Sequence, residues 1–201
     1  MKQICNHTEY FNIYSSKVCS LIKNIDLDDV NRINDCFFNS RKNGRTIFFA
    51  GNGGSAATAS HFVQDLSDVG RKANVKGFKT FCLTDNLSLL TTVFNDYGYE
   101  KTFSIQLSEL FNEGDVLVVI SASGNSPNVI EDVKQAKEMG GITIGLLGFD
   151  GGGLLKMCDY VIHTKTDKGE YGPVGGIHMI LNHMITSFMV FKLMNEKKKA
   201  V

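Results

Sequence analysis

The chain has 201 residues, 43% hydrophobic and 21% charged, with 21 basic side chains against 21 acidic ones. That length holds one well-buried core, which predicts a single domain over 1–201, and the apolar share excludes intrinsic disorder. A formal net charge of zero excludes recruitment of nucleic acid or an anionic membrane by a global field, so an anionic ligand has to be held by local geometry.

The opening MKQICNHTEY lacks the apolar stretch of a secretory signal. Tyr10 to Ile22, then Leu27, Val30, Ile33 and Phe37 behind Asp26, recur at helical spacing and predict two helices over the first forty-odd residues. They carry Phe11, Tyr14, Phe37 and Phe38, more apolar surface than a solvent-facing pair needs, and are expected to pack between subunits. After Lys42-Asn43-Gly44, short apolar runs alternate with helix-length segments. Thr46 to Ala50, Thr80 to Leu83, Val116 to Ile120, Ile142 to Leu147 and Tyr160 to His163 each read as a strand bounded by turn residues.

Strands apolar on both faces and separated by helices predict an α/β fold, a doubly wound, five-stranded parallel sheet flanked by helices, with an N-terminal helical pair. In such sheets ligands bind beyond the carboxyl ends of the strands, where strand order reverses. Val174 to about Lys197 is a last long helix with Ile177, Ile180, Leu181, Met184 and Phe188 on one stripe, and Lys197-Lys198-Lys199 is a solvated end. Five cysteines (Cys5, Cys19, Cys36, Cys82, Cys158), none in a C-x-x-C pair, read as buried thiols in a reducing compartment. With no 18-residue apolar run expected to span a bilayer, a cytoplasmic protein follows.

Two strand-to-helix loops carry the chemistry. The first, Gly51-Asn52-Gly53-Gly54-Ser55, places glycines where backbone turns tightly and approaches a ligand, with Ser55 as the expected N-cap. By itself it reads equally as a structural turn. It matches neither the G-x-G-x-x-G of dinucleotide folds nor the nucleotide phosphate loop. The second, Ser121-Ala122-Ser123-Gly124-Asn125-Ser126-Pro127, brings hydroxyls and backbone N–H groups to a helix N-terminus, with Ser126 as N-cap and Pro127 at the first helical position. It reads as a phosphate cradle without lysine, or as a well-capped helix. Two such loops on adjacent crossovers favour one phosphosugar site.

His61 and Asp65 lie one turn apart on one helix face, suited to acid–base work or a shared metal, although by spacing alone a solvated helical pair is the favoured reading. His178 and His183 are separated by about 140° around the last helix, so they cannot both face one small site. Gly148 to Gly153 reads as a flexible turn with room for a helix start, and Asn95-Asp96 as a polar break ending a helix near the sheet edge.

Gly51-Asn52-Gly53-Gly54-Ser55 followed by His61-Phe62, and Ser121-Ala122-Ser123-Gly124-Asn125-Ser126 followed by Asn128-Val129-Ile130, resemble the two signature loops of SIS-domain (flavodoxin-like) phosphoheptose isomerases. The resemblance implies a homotetramer that interconverts sedoheptulose 7-phosphate and D-glycero-D-manno-heptose 7-phosphate for bacterial surface heptose, in lipopolysaccharide or capsule. It implies a substrate site of Asn52, Gly53, Gly54, Ser55, Asp96, Ser121, Ala122, Ser123 and Ser126, with Asp65 and His183 as catalytic base and acid. It further implies that zinc, where bound, is held by His61, Asp65 and His183. Asp65 stands where the family usually has Glu, Ala122 where Thr is common, and Gly175-Gly176 where Gln or acidic residues are frequent. A non-catalytic SIS-domain tetramer binding phosphosugars or proteins is the alternative that these motifs leave open. A sugar-sensing regulator would bring a DNA-binding domain, of which the sequence has no sign.

Overall fold

A computed structural model describes residues 6–199; Cys5 lies outside the described residues. Helix α1 (His7–Lys23) starts at Asn6, whose side-chain oxygen accepts from the Glu9 N–H at 2.9 Å. Helix α2 (Leu27–Lys42) starts at Asp26, which accepts from the Asp28 and Asp29 N–H groups at 2.8 and 3.4 Å. Then follow β1 (Thr46–Gly51), α3 (Gly54–Ala73), β2 (Lys79–Cys82), α4 (Leu87–Tyr97), a 3-10 turn (Tyr99–Lys101) and α5 (Ser104–Leu110). The chain continues through β3 (Val116–Ser121), α6 (Pro127–Glu138), β4 (Ile142–Leu147), the short α7 (Leu154–Met157), β5 (Tyr160–His163) and α8 (Tyr171–Lys199).

The five strands form one parallel sheet in the order β2-β1-β3-β4-β5. Their side chains alternate between two cores, as the period of two demands. Ile47, Phe49, Val116, Val118 and Ile120 face α2, α3 and α8, whereas Phe48, Ala50, Leu117 and Val119 face α5 and α6. Burial on both faces is why these runs are almost continuously apolar. On the first face Phe37, Phe49 and Phe62 form a triangle with ring centroids 6.3, 6.2 and 4.9 Å apart, joining α2, β1 and α3.

Several expectations shift. Phe37 is fully buried in that triangle and so is core, not subunit interface. Phe38 packs on Phe78, with the Lys192 ammonium 4.1 Å from its ring, while Phe11 and Tyr14 are exposed. Among the cysteines, Cys36 and Cys82 are buried, Cys158 is half-buried and Cys19 is exposed. Burial pushes the Cys36 and Cys82 thiols up to about 11 and Cys158 to about 12, so all three stay protonated near neutrality.

Helix α8 begins at Tyr171, ahead of its predicted start, and is long and apolar enough by composition to cross a membrane. One stripe of it enters the core: Val174, Ile177, Leu181, Ile185, Met189 and Leu193 are buried, and the helix lies against α3. Met184 and Phe188, expected on the buried stripe, are exposed, so the stripe is rotated from the predicted one.

Asp132 on α6 is fully buried, and neither carboxyl oxygen has a partner among the described residues. Burial holds its pKa well above the usual carboxylate range, so the folded protein keeps it neutral where the unfolded chain ionises it. With a folded pKa above the unfolded one, an acid's contribution is present at low pH and is lost as pH rises past about 4. Asp132→Ala should therefore stabilise the protein at pH 7 by about 1–3 kcal/mol, with a smaller gain at pH 4, measured as urea unfolding at the two pH values.

Candidate active site

β1 and β3 pair in parallel through Gly51 and Ile120, so the two ligand loops leave the sheet side by side at its carboxyl edge. β1 is followed by α3 on one face and β3 by α6 on the other, which makes the gap between them the switch point of the sheet. A cavity of about 470 Å³ lies there, lined by Asn52, Gly53, Gly54, Ser55, Ser121, Ala122, Ser123 and Ser126 together with Tyr171, Val174, Gly175 and His178 of α8. Eight of the nine expected substrate contacts thus converge on one space. The ninth, Asp96, sits on α4, exposed and outside this cavity, with its carboxylate accepting from the Asn95 amide at 2.7 Å.

Local chemistry builds each loop. The N-cap of α3 is Gly53 at φ 53°, not Ser55, which lies in the first turn. Ser126 caps α6, with Pro127 at the first helical position. Neither cap residue makes a side-chain hydrogen bond to its helix; the Ser55 and Ala56 N–H groups donate to the Asn52 carbonyl, the Val129 N–H donates to the Asn128 side-chain oxygen and Pro127 has no N–H, so the two helices offer a ligand chiefly the positive ends of their dipoles. Asn52 and Asn128 exchange a reciprocal pair of amide hydrogen bonds, each 2.9 Å, tying the two loops together. Asn128 was absent from the expected site, and its type at that position alone gives no sign of the pairing.

The Gly148–Gly153 segment is a buttress, not a flexible turn. Gly153 N–H donates to the Asn125 side-chain oxygen at 2.9 Å, and Leu154 N–H to the Gly124 carbonyl at 3.1 Å. Ser121 Oγ accepts from the Gly124 N–H at 3.0 Å and so closes the cradle. A Cβ on Gly124, at φ 62°, would stand 1.9 Å from the Gly151 carbonyl oxygen. Nearby Phe149 holds φ 47° while buried, its ring edge-on to Tyr171 at 5.0 Å.

The second cluster lies further along α3 and α8. Asp65 Oδ2 is 3.3 Å from His61 Nε2 and 3.7 Å from His183 Nε2, and the two rings meet at 5.2 Å. The side chain of Asp65 is 17% exposed, those of His61 and His183 41% and 52%. The three donors all lie within 4.8 Å of one another. Zinc bonds of about 2.0–2.1 Å in a tetrahedron set ligands about 3.3 Å apart, so this donor set fits zinc with a position open to substrate. Gly175 and Gly176 add no donor. Fully buried Asn182, which sequence reasoning passed over, donates from Nδ2 to Asp65 Oδ2 at 2.9 Å and fixes the carboxylate. As 140° of rotation requires, His178 and His183 face different spaces: Asp65 and His183 line a cavity of about 370 Å³ that shares no lining residue with the first.

The interlock of the cradle is testable by stability. Gly124→Ala should cost about 2–4 kcal/mol through the clash with Gly151 and the positive φ. Gly176→Ala, in open space on α8, should instead stabilise by about 0.5–1 kcal/mol, both read from denaturant midpoints.

Comparison with known proteins agrees with this architecture. The SIS domain family model matches residues 9–148. The phosphoheptose isomerase of Aliarcobacter butzleri is 42% identical over 145 residues, covering 72% of this chain and 75% of the relative. That of Campylobacter jejuni serotype O:6 is 41% identical over 144 residues, covering 72% and 76%. The solved structure of the phosphoheptose isomerase from Neisseria gonorrhoeae superposes with a TM-score of 0.80 at 31% identity, covering 90% of this chain and 95% of that one. By the family model over residues 9–148 and by these relatives, this chain belongs to the SIS-domain family, among the phosphoheptose isomerases.

Proposed function

We propose that the chain, one SIS domain over 1–201, interconverts sedoheptulose 7-phosphate and D-glycero-D-manno-heptose 7-phosphate in the cytoplasm, serving bacterial surface heptose in lipopolysaccharide or capsule. The observation that carries this reading is the Asp65–His183 pair set along α3 and α8 from a phosphate cradle that contains no lysine or arginine.

The spacing suits a long open-chain substrate. Ser55 and Asp65 are ten residues apart on α3, about 15 Å along the axis. An extended seven-carbon chain with its phosphate measures about 10 Å from bond lengths near 1.5 Å, and hydrogen bonds of about 3 Å at each end fill the remainder. Hydroxyls of Ser55, Ser121, Ser123 and Ser126, with the positive ends of α3 and α6, hold the phosphate dianion. Its charge is met by donors and helix dipoles, not by a cation.

At the other end Asp65 removes the proton from C1 of the ketose while His183 delivers one to the C2 oxygen, giving an enediol. Return of a proton to C2, with loss of the proton on the C1 oxygen, completes the aldose. Atoms and electrons balance without a redox cofactor. Asn182 keeps Asp65 aimed, because a carboxylate free to rotate would lose the near-attack geometry. His61, Asp65 and His183 would hold zinc, which when bound supplies electrostatic stabilisation of developing negative charge on oxygen.

Exposed Tyr10, Phe11, Tyr14, Phe188 and Phe191 on α1 and α8 supply the apolar surface for a homotetramer, and light scattering at micromolar concentration should give four times the chain mass. Proton NMR with sedoheptulose 7-phosphate in deuterated water, with and without zinc, should reveal aldose anomeric signals and deuterium at the carbon next to the carbonyl. Binding without turnover or exchange would remove the isomerase reading. Asp65→Asn should lower kcat by about 10²–10⁴ while phosphosugar affinity holds within a few-fold.

A further inference from the structure

Tyr171, the first residue of α8, lines the cradle cavity with Ser55, Ser121 and Ser126, and it is 64% exposed. A phosphate dianion draws on hydroxyls and helix dipoles, and the negative face of a phenol ring repels it. The ring is therefore of no use to the phosphate that the cradle is built for.

The protein nevertheless holds this ring in place and leaves room beside it. Phe149 is 3% exposed and packs edge-on against it, ring centroids 5.0 Å apart. Phe149 itself keeps φ 47°, a left-handed backbone that a bulky side chain rarely takes. Its carbonyl accepts from His163 Nε2 at 3.1 Å and from the Thr166 N–H at 3.3 Å, so the strained residue is pinned. Such outliers persist only where the surroundings enforce them, and they cluster at ligand clamps. On either side of Tyr171, Glu170 pairs with Lys17 of α1, and Gly172 lies so near Tyr14 that a Cβ would stand 3.0 Å from its hydroxyl oxygen. The turn that carries the ring is thus tied to α1 as well as to the Gly148–Gly153 segment. Gly175, one turn further along α8, lines the same cavity and has open space where a Cβ would be. Residues i and i+4 share a helix face, so the missing side chain leaves space for a ligand beside the Tyr171 ring.

The chemistry of the occupant follows from the ring. C–H groups on carbons that bear oxygen carry partial positive charge and are attracted to the negative face of an aromatic ring. Ligand pockets combine such apolar walls with a few placed polar groups. We infer that the Tyr171 ring packs against the C–H face of a phosphosugar's carbon chain where that chain leaves the phosphate, which makes Tyr171 a specificity-determining binding residue. This rests on the reading of the same cavity as the substrate's phosphate cradle. The cradle reads the phosphate, and Tyr171 separates a sugar phosphate from inorganic phosphate.

The test is calorimetric titration of the full-length protein, and of Tyr171→Ala and Tyr171→Phe, with sedoheptulose 7-phosphate and, separately, with inorganic phosphate, alongside turnover by the unmodified protein. Tyr171→Ala should weaken sedoheptulose 7-phosphate binding about fivefold to tenfold, the scale of one aromatic contact, and leave inorganic phosphate within about twofold. Tyr171→Phe, which keeps the ring, should recover most of the loss. The chain has no tryptophan, so Tyr171→Trp adds a single fluorophore whose emission should change with the sugar phosphate and hold steady with inorganic phosphate. Equal weakening of both ligands in Tyr171→Ala would make the residue structural. An equal loss in Tyr171→Phe would move the contact to the hydroxyl, and unchanged sugar phosphate affinity in Tyr171→Ala would remove the contact; each of these overturns the inference. The expected binding differences without turnover sink the isomerase reading alone; turnover without those differences sinks this inference alone; absence of both binding and turnover sinks the two together. Should Tyr171→Ala fail to fold, the tryptophan emission decides.

Discussion

β1 and β3 run in parallel from the Ile47–Val116 pair to the Gly51–Ile120 pair, and both chains leave the sheet at the same edge. A parallel pair cannot be closed by a hairpin, so each strand has to be followed by a helix crossover. The crossovers here go to opposite faces, and the space opened between them is the candidate site. Everything polar in the cradle follows from that placement. Two helices point their N-termini into one gap, and two loops come close enough for Asn52 and Asn128 to pair. Close packing at Gly51, where a Cβ would meet the Ser55 backbone at 2.8 Å, keeps the first turn tight.

The loops themselves are weak structures, and their rigidity is supplied from outside. Gly124 and Gly152 sit at positive φ because the Ser121–Ser126 loop and the Gly148–Gly153 segment approach backbone to backbone, with no room for side chains between them. Asn125 then crosses that contact to Gly153. A cradle held by main-chain contacts presents its hydroxyls at fixed positions, which lowers the ordering entropy that the proposed anion binding would cost.

α3 and α8 play the complementary part. α3 is anchored at the sheet by Phe62 against Phe37 and Phe49, and α8 packs along it through Ile177, Leu181, Ile185 and Met189. Two rigid helices side by side give a ruler with the cradle at one end and Asp65, His61 and His183 at the other. Polar groups along this ruler are left incompletely satisfied. His178 Nε2 and Asn182 Oδ1 lack partners among the described residues. Such groups cost stability. Asp132 lies on α6, at the other face of the sheet from α3 and α8, and its two orphaned oxygens are a cost to folding that the proposed chemistry does not use.

The sequence by itself determined the strands, their parallel layering and the two ligand loops, because these depend on local periodicity and on glycine, serine and proline chemistry at turns. It also placed His61 beside Asp65, since i and i+4 share a helix face. The tertiary structure decided what depends on partners distant in the chain. Phe37 reads as surface or core alike until Phe49 and Phe62 close around it, and the buried stripe of α8 is set by the angle at which the helix meets α3. The Asn52–Asn128 link, the buttress under Gly124, the Asn182 contact to Asp65 and the burial of His178 each join residues tens of positions apart or depend on what surrounds them. No spacing rule connects such residues, and hydrogen-bond partners across a fold are fixed only when the core has set the backbone.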